Sequence, residues 1–91
     1  MINQLKAAFP AVEWDERGPN HCGGSDPSRV RVWVAMRRGV YVATAEGAVT
    51  IGDGTSDSPV DAVQMALACL VTRTRSLAAR SVAAAEKWGQ P

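Results

Sequence analysis

An α+β domain, with a three- to four-stranded antiparallel sheet between a short N-terminal helix and a long C-terminal helix (α-β-β-β-α), is the fold class this sequence predicts. Three observations lead there: helical spacing of apolar residues at the start, two alternating segments joined by Arg37-Arg38-Gly39, and a capped apolar run that begins at Ser58. With 91 residues the chain is sized for a single domain, 1–91, and a domain this small buries only about 60–65% of the surface its unfolded chain exposes. Apolar residues make up 46% of the chain but aromatic ones only 5%, so Val, Ala and Leu must build the core. Such a core leaves little room for a deep, enclosed substrate pocket.

The N-terminal run places Ile2, Leu5, Ala8 and Phe9 at helical spacing and stops at Pro10, whose ring disfavours helical geometry in the residue before it. Val12-Glu13-Trp14-Asp15-Glu16 then alternates apolar with acidic side chains, the period of a strand that turns Val12 and Trp14 inward. Residues 18–28, rich in Gly, Pro, Asn and Ser, read as a loop by composition. Residues 30–36 and 40–45 read as a hairpin, its three-residue connection placing a left-handed residue at Gly39. With Met36 opposite Val40, one face collects Val30, Val32, Val34, Met36, Val40, Val42 and Thr44 as the core side. The other shows Arg31, Trp33, Ala35, Tyr41 and Ala43. Past Glu46-Gly47, residues 48–51 fit either a fourth short strand or a bulged continuation of the third. Gly52-Asp53-Gly54-Thr55-Ser56-Asp57 reads as a turn leading to the last helix.

That helix has the strongest local signal in the chain. Ser58 can accept from a free N–H of the first turn, Pro59 suits the first helical position because its missing donor has no partner there anyway, and Asp61 complements the positive end of the dipole. Val60, Val63, Leu67, Leu70, Val71, Thr74, Leu77 and Ala78 mark a stripe at the helical period, which carries the helix to about residue 78–86. A rod of that length overhangs the sheet. The stripe leaves Ala62, Met65 and Cys69 on the far side, where a surface helix ordinarily carries charge. Either the first helix covers them, or Met65 and Cys69 belong to a homodimer or partner interface.

The net charge of +1 argues against a globally basic nucleic-acid binder, yet charge is segregated along the chain: −2 over 1–28, +4 over 29–45, −4 over 46–61 and +3 over 62–91. No signal-peptide-like apolar segment opens the chain and no apolar run approaches the roughly 18–20 residues that span a bilayer, so a cytoplasmic location and no membrane partner are expected. Cys22 and Cys69 are expected to be reduced thiols.

Catalytic and metal chemistry finds little support. His21 and Cys22 are neighbours and Asp26 is near, but a structural zinc site needs four ligands in spaced pairs and a cysteine nucleophile needs a positioned base and a third orienting group. Asp53, Thr55 and Asp57 alternate like the opening of a calcium loop with no glutamate at the required distance. Gly23-Gly24-Ser25 and Gly52-Asp53-Gly54 lack the lysine and strand-to-helix context of a phosphate cradle. Glu13 and Glu16 read as solvated carboxylates rather than an acid/base pair. No cofactor, metal or catalytic residue is expected, and the protein is expected not to be an enzyme.

Two surfaces stand out instead. Arg31, Trp33 and Tyr41, flanked by Arg37 and Arg38 at the hairpin tip, interleave aromatics with arginines as protein hot spots and single-strand platforms do. Asp53 and Asp57 lie in the acidic 46–61 stretch, whose charge could imitate nucleic-acid phosphates.

The run Ser58-Pro59-Val60-Asp61-Ala62-Val63, continuing Gln64-Met65-Ala66-Leu67-Ala68-Cys69, resembles the helix start of small phage proteins of the phage ABA sandwich family, over residues 29–75 in all. The resemblance implies a phage or prophage origin, hence the cytoplasm of a bacterial host, and a helix laid over an antiparallel sheet. It implies no activity of its own. By analogy with small phage accessory proteins, the expected function is a non-enzymatic inhibitor or modulator that binds a host protein or complex, such as an antiviral defence (anti-CRISPR-like) complex. The alternative is a double-stranded nucleic-acid-binding module of α-β-β-β-α order. That reading calls for a lysine-rich start to the second helix, whereas this one opens on Asp61, so nucleic acid is not the expected partner.

Overall fold

The computed structural model describes residues 1–90. Helix α1 (Ile2–Ala8) leads into five strands, β1 (Glu13–Gly18), β2 (His21–Ser25), β3 (Arg31–Arg37), β4 (Val40–Glu46) and β5 (Ile51–Ser56), and helix α2 (Pro59–Trp88) follows. The strands form one antiparallel meander in the order β1-β2-β3-β4-β5. The α+β class and both helices agree with the sequence, while the strand count is five rather than three to four.

Both extra strands lie where glycine suggested irregular chain. Residues 18–28 contain a tight turn at Pro19-Asn20, in which Asn20 takes the left-handed conformation (φ 58°), followed by β2. Gly24 sits beneath the indole of Trp14 and a Cβ there would lie 2.7 Å from the ring, so the glycine is what lets β2 pass under the aromatic residue. Residues 51–56, in turn, are the edge strand β5 rather than a turn.

The β3–β4 connection is the two-residue loop Arg38-Gly39, both at positive φ (53° and 83°), with Arg37 opposite Val40 and Met36 opposite Tyr41. This matches the turn whose twist suits a hairpin, and it shifts β4 by one residue from the expected register. Ala43 and Ala45 therefore face the core beside Val34 and Val32, while Val42 and Thr44 face away. Trp33 and Tyr41 are accordingly on opposite sides of the sheet.

Two cross-strand rows build the covered face. One runs Trp14, Gly24, Val32, Ala45, Gly52, and the other Glu16, Cys22, Val34, Ala43, Gly54. All but Glu16 are buried. The row shrinks to glycine on β5 because α2 lies directly against that strand: a Cβ on Gly54 would lie 2.5 Å from the Ala62 carbonyl oxygen, and one on Gly52 would collide with the Ala66 carbonyl and the Leu70 amide. Ala62, Val63, Ala66 and Leu70 form the buried side of α2, so Ala62 belongs to the core and not to the far side, and Val71 is 46% exposed. The start of α2 is as expected, with the Asp61 N–H donating to Ser58 Oγ at 3.3 Å and Pro59 in the first turn. α1 packs beside α2 on the same face, burying Leu5, and the Trp14 Nε1–H donates to the Phe9 carbonyl at 3.3 Å.

α2 is one continuous helix of 30 residues, about 45 Å long, against strands of no more than seven residues. Leu70 is its last buried residue and Leu77 its last half-buried one, and every residue from Ala78 to Trp88 is exposed. The molecule is consequently 58 Å in its longest dimension. No helix among the described residues is long and apolar enough to cross a membrane.

Gly52→Ala is expected to force α2 off the strand and cost about 1–3 kcal/mol, read as a lower urea midpoint. Gly89→Ala, where a Cβ would meet nothing closer than 3.5 Å, is the control and should leave the midpoint almost unchanged.

Candidate functional site

Because both helices pack on one face, the other face of the sheet carries no cover. Its central row runs Asp15, Gly23, Trp33, Thr44, Asp53 across the five strands. The row beside it is Glu13, Ser25, Arg31, Glu46, Ile51, and on the opposite side come His21, Ala35, Val42 and Thr55. Arg31, Trp33 and Arg37 alternate along β3, so a basic and aromatic centre is flanked by the carboxylates of the outer strands.

A shallow concavity of about 320 Å³ sits on this face, lined by Asp15, Arg17, Gly23, Ser25, Arg31 and Trp33. Glycine at position 23 makes it. The Arg17 side chain lies across the strand there, its Nε only 3.1 Å from where a Cβ of residue 23 would be, and the same Nε–H donates to Asp15 Oδ2 at 3.1 Å. Strand alternation puts Arg17 on the open side with Glu13 and Asp15, and the register shifts beside it, between Glu16 and Gly18. The Arg17–Asp15 pair is more than half exposed, so it orients the guanidinium and adds little stability. Two guanidinium groups, a hydroxyl and an indole edge make a surface suited to carboxylates, backbone carbonyls and flat apolar groups of a partner.

Of the residues singled out from sequence, Arg31, Trp33 and Arg37 share this face, and Asp53 lies at its β5 margin in the Trp33 row. Arg38 is in the turn at the hairpin tip. Tyr41 does not join them: it is half-buried on the covered side, packed against the core. Asp57 is exposed between β5 and α2. Met65, 50% exposed, stands over Gly54 beside β5, and Cys69 is half-buried one turn further along, so both lie on the β5 side of α2 rather than on its far side. Arg17, Gly23 and Ser25 escaped sequence reasoning, and the signal that could have found them is Gly18-Pro19-Asn20, a turn motif that implies a strand on either side.

His21, Cys22 and Asp26 are not brought together. His21 and Cys22 point to opposite faces of β2, while Asp26 closes the β2–β3 turn, its Oδ1 accepting from Ser28 Oγ at 2.6 Å, Ser28 N at 3.1 Å and Val30 N at 3.2 Å. These bonds, the Ser28 hydroxyl first, hold its carboxyl below the usual range. No cluster of three or more His, Cys, Asp or Glu among the described residues could hold a metal. Comparison with known families, curated proteins and solved structures finds none that matches this chain.

Both cysteines are free thiols. Burial, and then the Glu16 carboxylate in the same cross-strand row, push the Cys22 thiol up from its ordinary 9.0. A raised thiol pKa favours the folded state below the unfolded value, and that contribution is lost as pH rises through the folded one. The urea midpoint is therefore expected to fall between about pH 8 and about pH 10 in the native protein and less in Cys22→Ala. With a disulfide reagent at neutral pH, Cys69 should react rapidly in the folded protein and Cys22 only after denaturation, so Cys69→Ser removes the fast phase and Cys22→Ser keeps it.

Proposed function

We propose that this chain is a non-enzymatic binding protein that grips a partner protein with the open face of its sheet, centred on Trp33. One observation carries the reading: a whole sheet face is left uncovered, with a half-buried tryptophan at its middle and Arg17, Arg31 and Arg37 around it. Large flat aromatic residues with adjacent arginines supply contact area at low entropic cost and are the residues most enriched among interface hot spots. The carboxylates of Glu13, Asp15 and Asp53 at the margins set orientation and encounter rate more than affinity.

The partner we propose is a host protein or complex, an antiviral defence assembly being the foremost class, with the protein acting as an inhibitor or modulator. The likeness of the 58–69 segment to the helix start of the phage ABA sandwich proteins supports that step. Asp53 at the β5 margin, 3.8 Å from Arg73, and Asp57 beyond the end of β5 supply exposed carboxylates that can stand in for phosphates in such a contact. Met65 and Cys69 are the place where a second copy would meet this one along β5. The double-stranded nucleic-acid module rests on an α-β-β-β-α order, and five strands stand where it needs three.

Affinity purification of the tagged chain from a bacterial host, with light scattering of the eluate, tests the proposal. One stoichiometric host partner is expected, and Trp33→Ala should weaken it at least about 30-fold, about 2 kcal/mol, while the protein stays folded with a modestly lower thermal midpoint. Unaltered binding by Trp33→Ala takes the sheet face out of the account. Asp53→Asn with Asp57→Asn should weaken the contact and flatten its salt dependence, and no change in either removes the acidic contribution.

A further inference from the structure

Beyond the sheet face, the free half of α2 is a second surface of different chemistry. From Val71 to Trp88 it carries Arg73, Arg75, Arg80 and Lys87 against Glu86 alone, a net +3; taken from the chain's +1, this leaves −2 on the body. Arg73 lies 3.8 Å from Asp53 at the edge of β5, and the other three basic side chains are not neutralised locally. Glu86 has no basic residue three or four positions away, and no ion pair among the described residues uses Arg75, Arg80 or Lys87. Arg73, Arg80 and Lys87 recur every seven residues, and seven residues are two helical turns less about 20°, so the three form one stripe with steps of about 10.5 Å. Where the helix leaves the sheet, the stripe begins in an open notch of about 290 Å³ lined by Thr50, Thr72, Arg73, Ser76, Leu77 and Arg80. Hydroxyls and guanidinium groups converge there, with Arg73 Nη1 held by the Ile51 carbonyl at 2.9 Å.

We infer that this arm binds the phosphate backbone of double-stranded nucleic acid, without reading sequence. Charge decides among the possible occupants. Two copies paired arm to arm would set +3 against +3 with only the lone Glu86 on each to relieve it, and an arm laid on a partner's body would meet a net charge of only −2. A lipid surface needs a broad apolar side, whereas beyond Leu77 the large apolar residues are Val82 and Trp88 alone. A polyanion fits the charge. The slender profile given by Ala78, Ala79, Ser81, Ala83, Ala84 and Ala85 fits a helix entering a major groove, and Trp88, 90% exposed at the tip beside Lys87, can stack on an opened base. The arm uses the far end of the helix, not the acidic start at Asp61 that a double-stranded nucleic-acid module would place on the phosphates.

The test is fluorescence anisotropy of the full chain with labelled 20-base-pair duplexes of DNA and of RNA at several salt concentrations. With three to four phosphate contacts, affinity should fall about 40- to 150-fold between 50 and 200 mM salt. Arg80→Gln with Lys87→Gln, both fully outside the core, should reduce the logarithmic salt slope by about 1.8 while leaving the thermal midpoint and any Trp33-dependent partner binding intact. Binding to the DNA duplex is expected, and binding to RNA alone, whose deep and narrow major groove does not admit a helix, overturns the groove placement. No binding to either at 50 mM salt, or a slope the double variant does not change, overturns the inference. So does tighter capture by vesicles containing phosphatidylserine than by either duplex, or an Arg80/Lys87-dependent self-association that accounts for the anisotropy change.

Discussion

The closeness of α2 to the backbone of β5 governs the rest of the molecule. Gly52 and Gly54 on the strand meet Ala62 and Ala66 on the helix, with Ala43 and Ala45 of β4 alongside, so main chain lies against main chain. Small residues bury little area each, and what they supply is approach. The seat is held by larger groups at its flanks, Val63 and Leu70 from α2, Leu5 from α1, and Val32 and Val34 from β3. The hairpin register turns Val42 and Thr44 out and puts the small Ala43 and Ala45 beside this closely seated helix. The same device recurs across the sheet, where Gly24 admits Trp14. With both helices committed to one side, the open sheet face follows as a matter of topology.

The two outer strands are protected differently against unwanted strand pairing. β1 is disrupted by its register shift before Gly18 and carries Glu13, Asp15, Glu16 and Arg17. β5 is short and glycine-containing, and Arg73 reaches from α2 to its first carbonyl, at Ile51. That guanidinium also lies 3.8 Å from Asp53, a partly solvated pair whose effect is to fix the side chain over the edge rather than to add much stability.

How far the sequence announces this structure depends on how local each determinant is. α1, the start of α2 and the inward face of β3 rest on spacing and capping within a few residues, and they are legible. The hairpin register turns on whether Arg38 joins Gly39 in the left-handed region, which an arginine does only when the paired strands hold it there. β2 and β5 are hidden because their inward positions include glycines, and a glycine chosen for the approach of Trp14 or α2 is indistinguishable in composition from one chosen for a loop. The candidate site is half legible for the same reason: Arg31, Trp33 and Arg37 are visible on a patterned strand, while Arg17 and Gly23 need β2 to exist first. Tyr41 is lost from it by the single-residue register change.

The three tryptophans divide the molecule optically. Trp14 is buried with its indole N–H bonded to Phe9, Trp33 is half-buried on the open face, and Trp88 is 90% exposed at the end of the arm. Their emission is thus a sum of a blue, an intermediate and a red component, each reporting a different region: the packed core, the sheet surface and the helix tip. A quencher dissolved in the solvent reaches the last first and the core last. Any ligand can then be placed on the molecule by which component it shifts, with no label added to the chain.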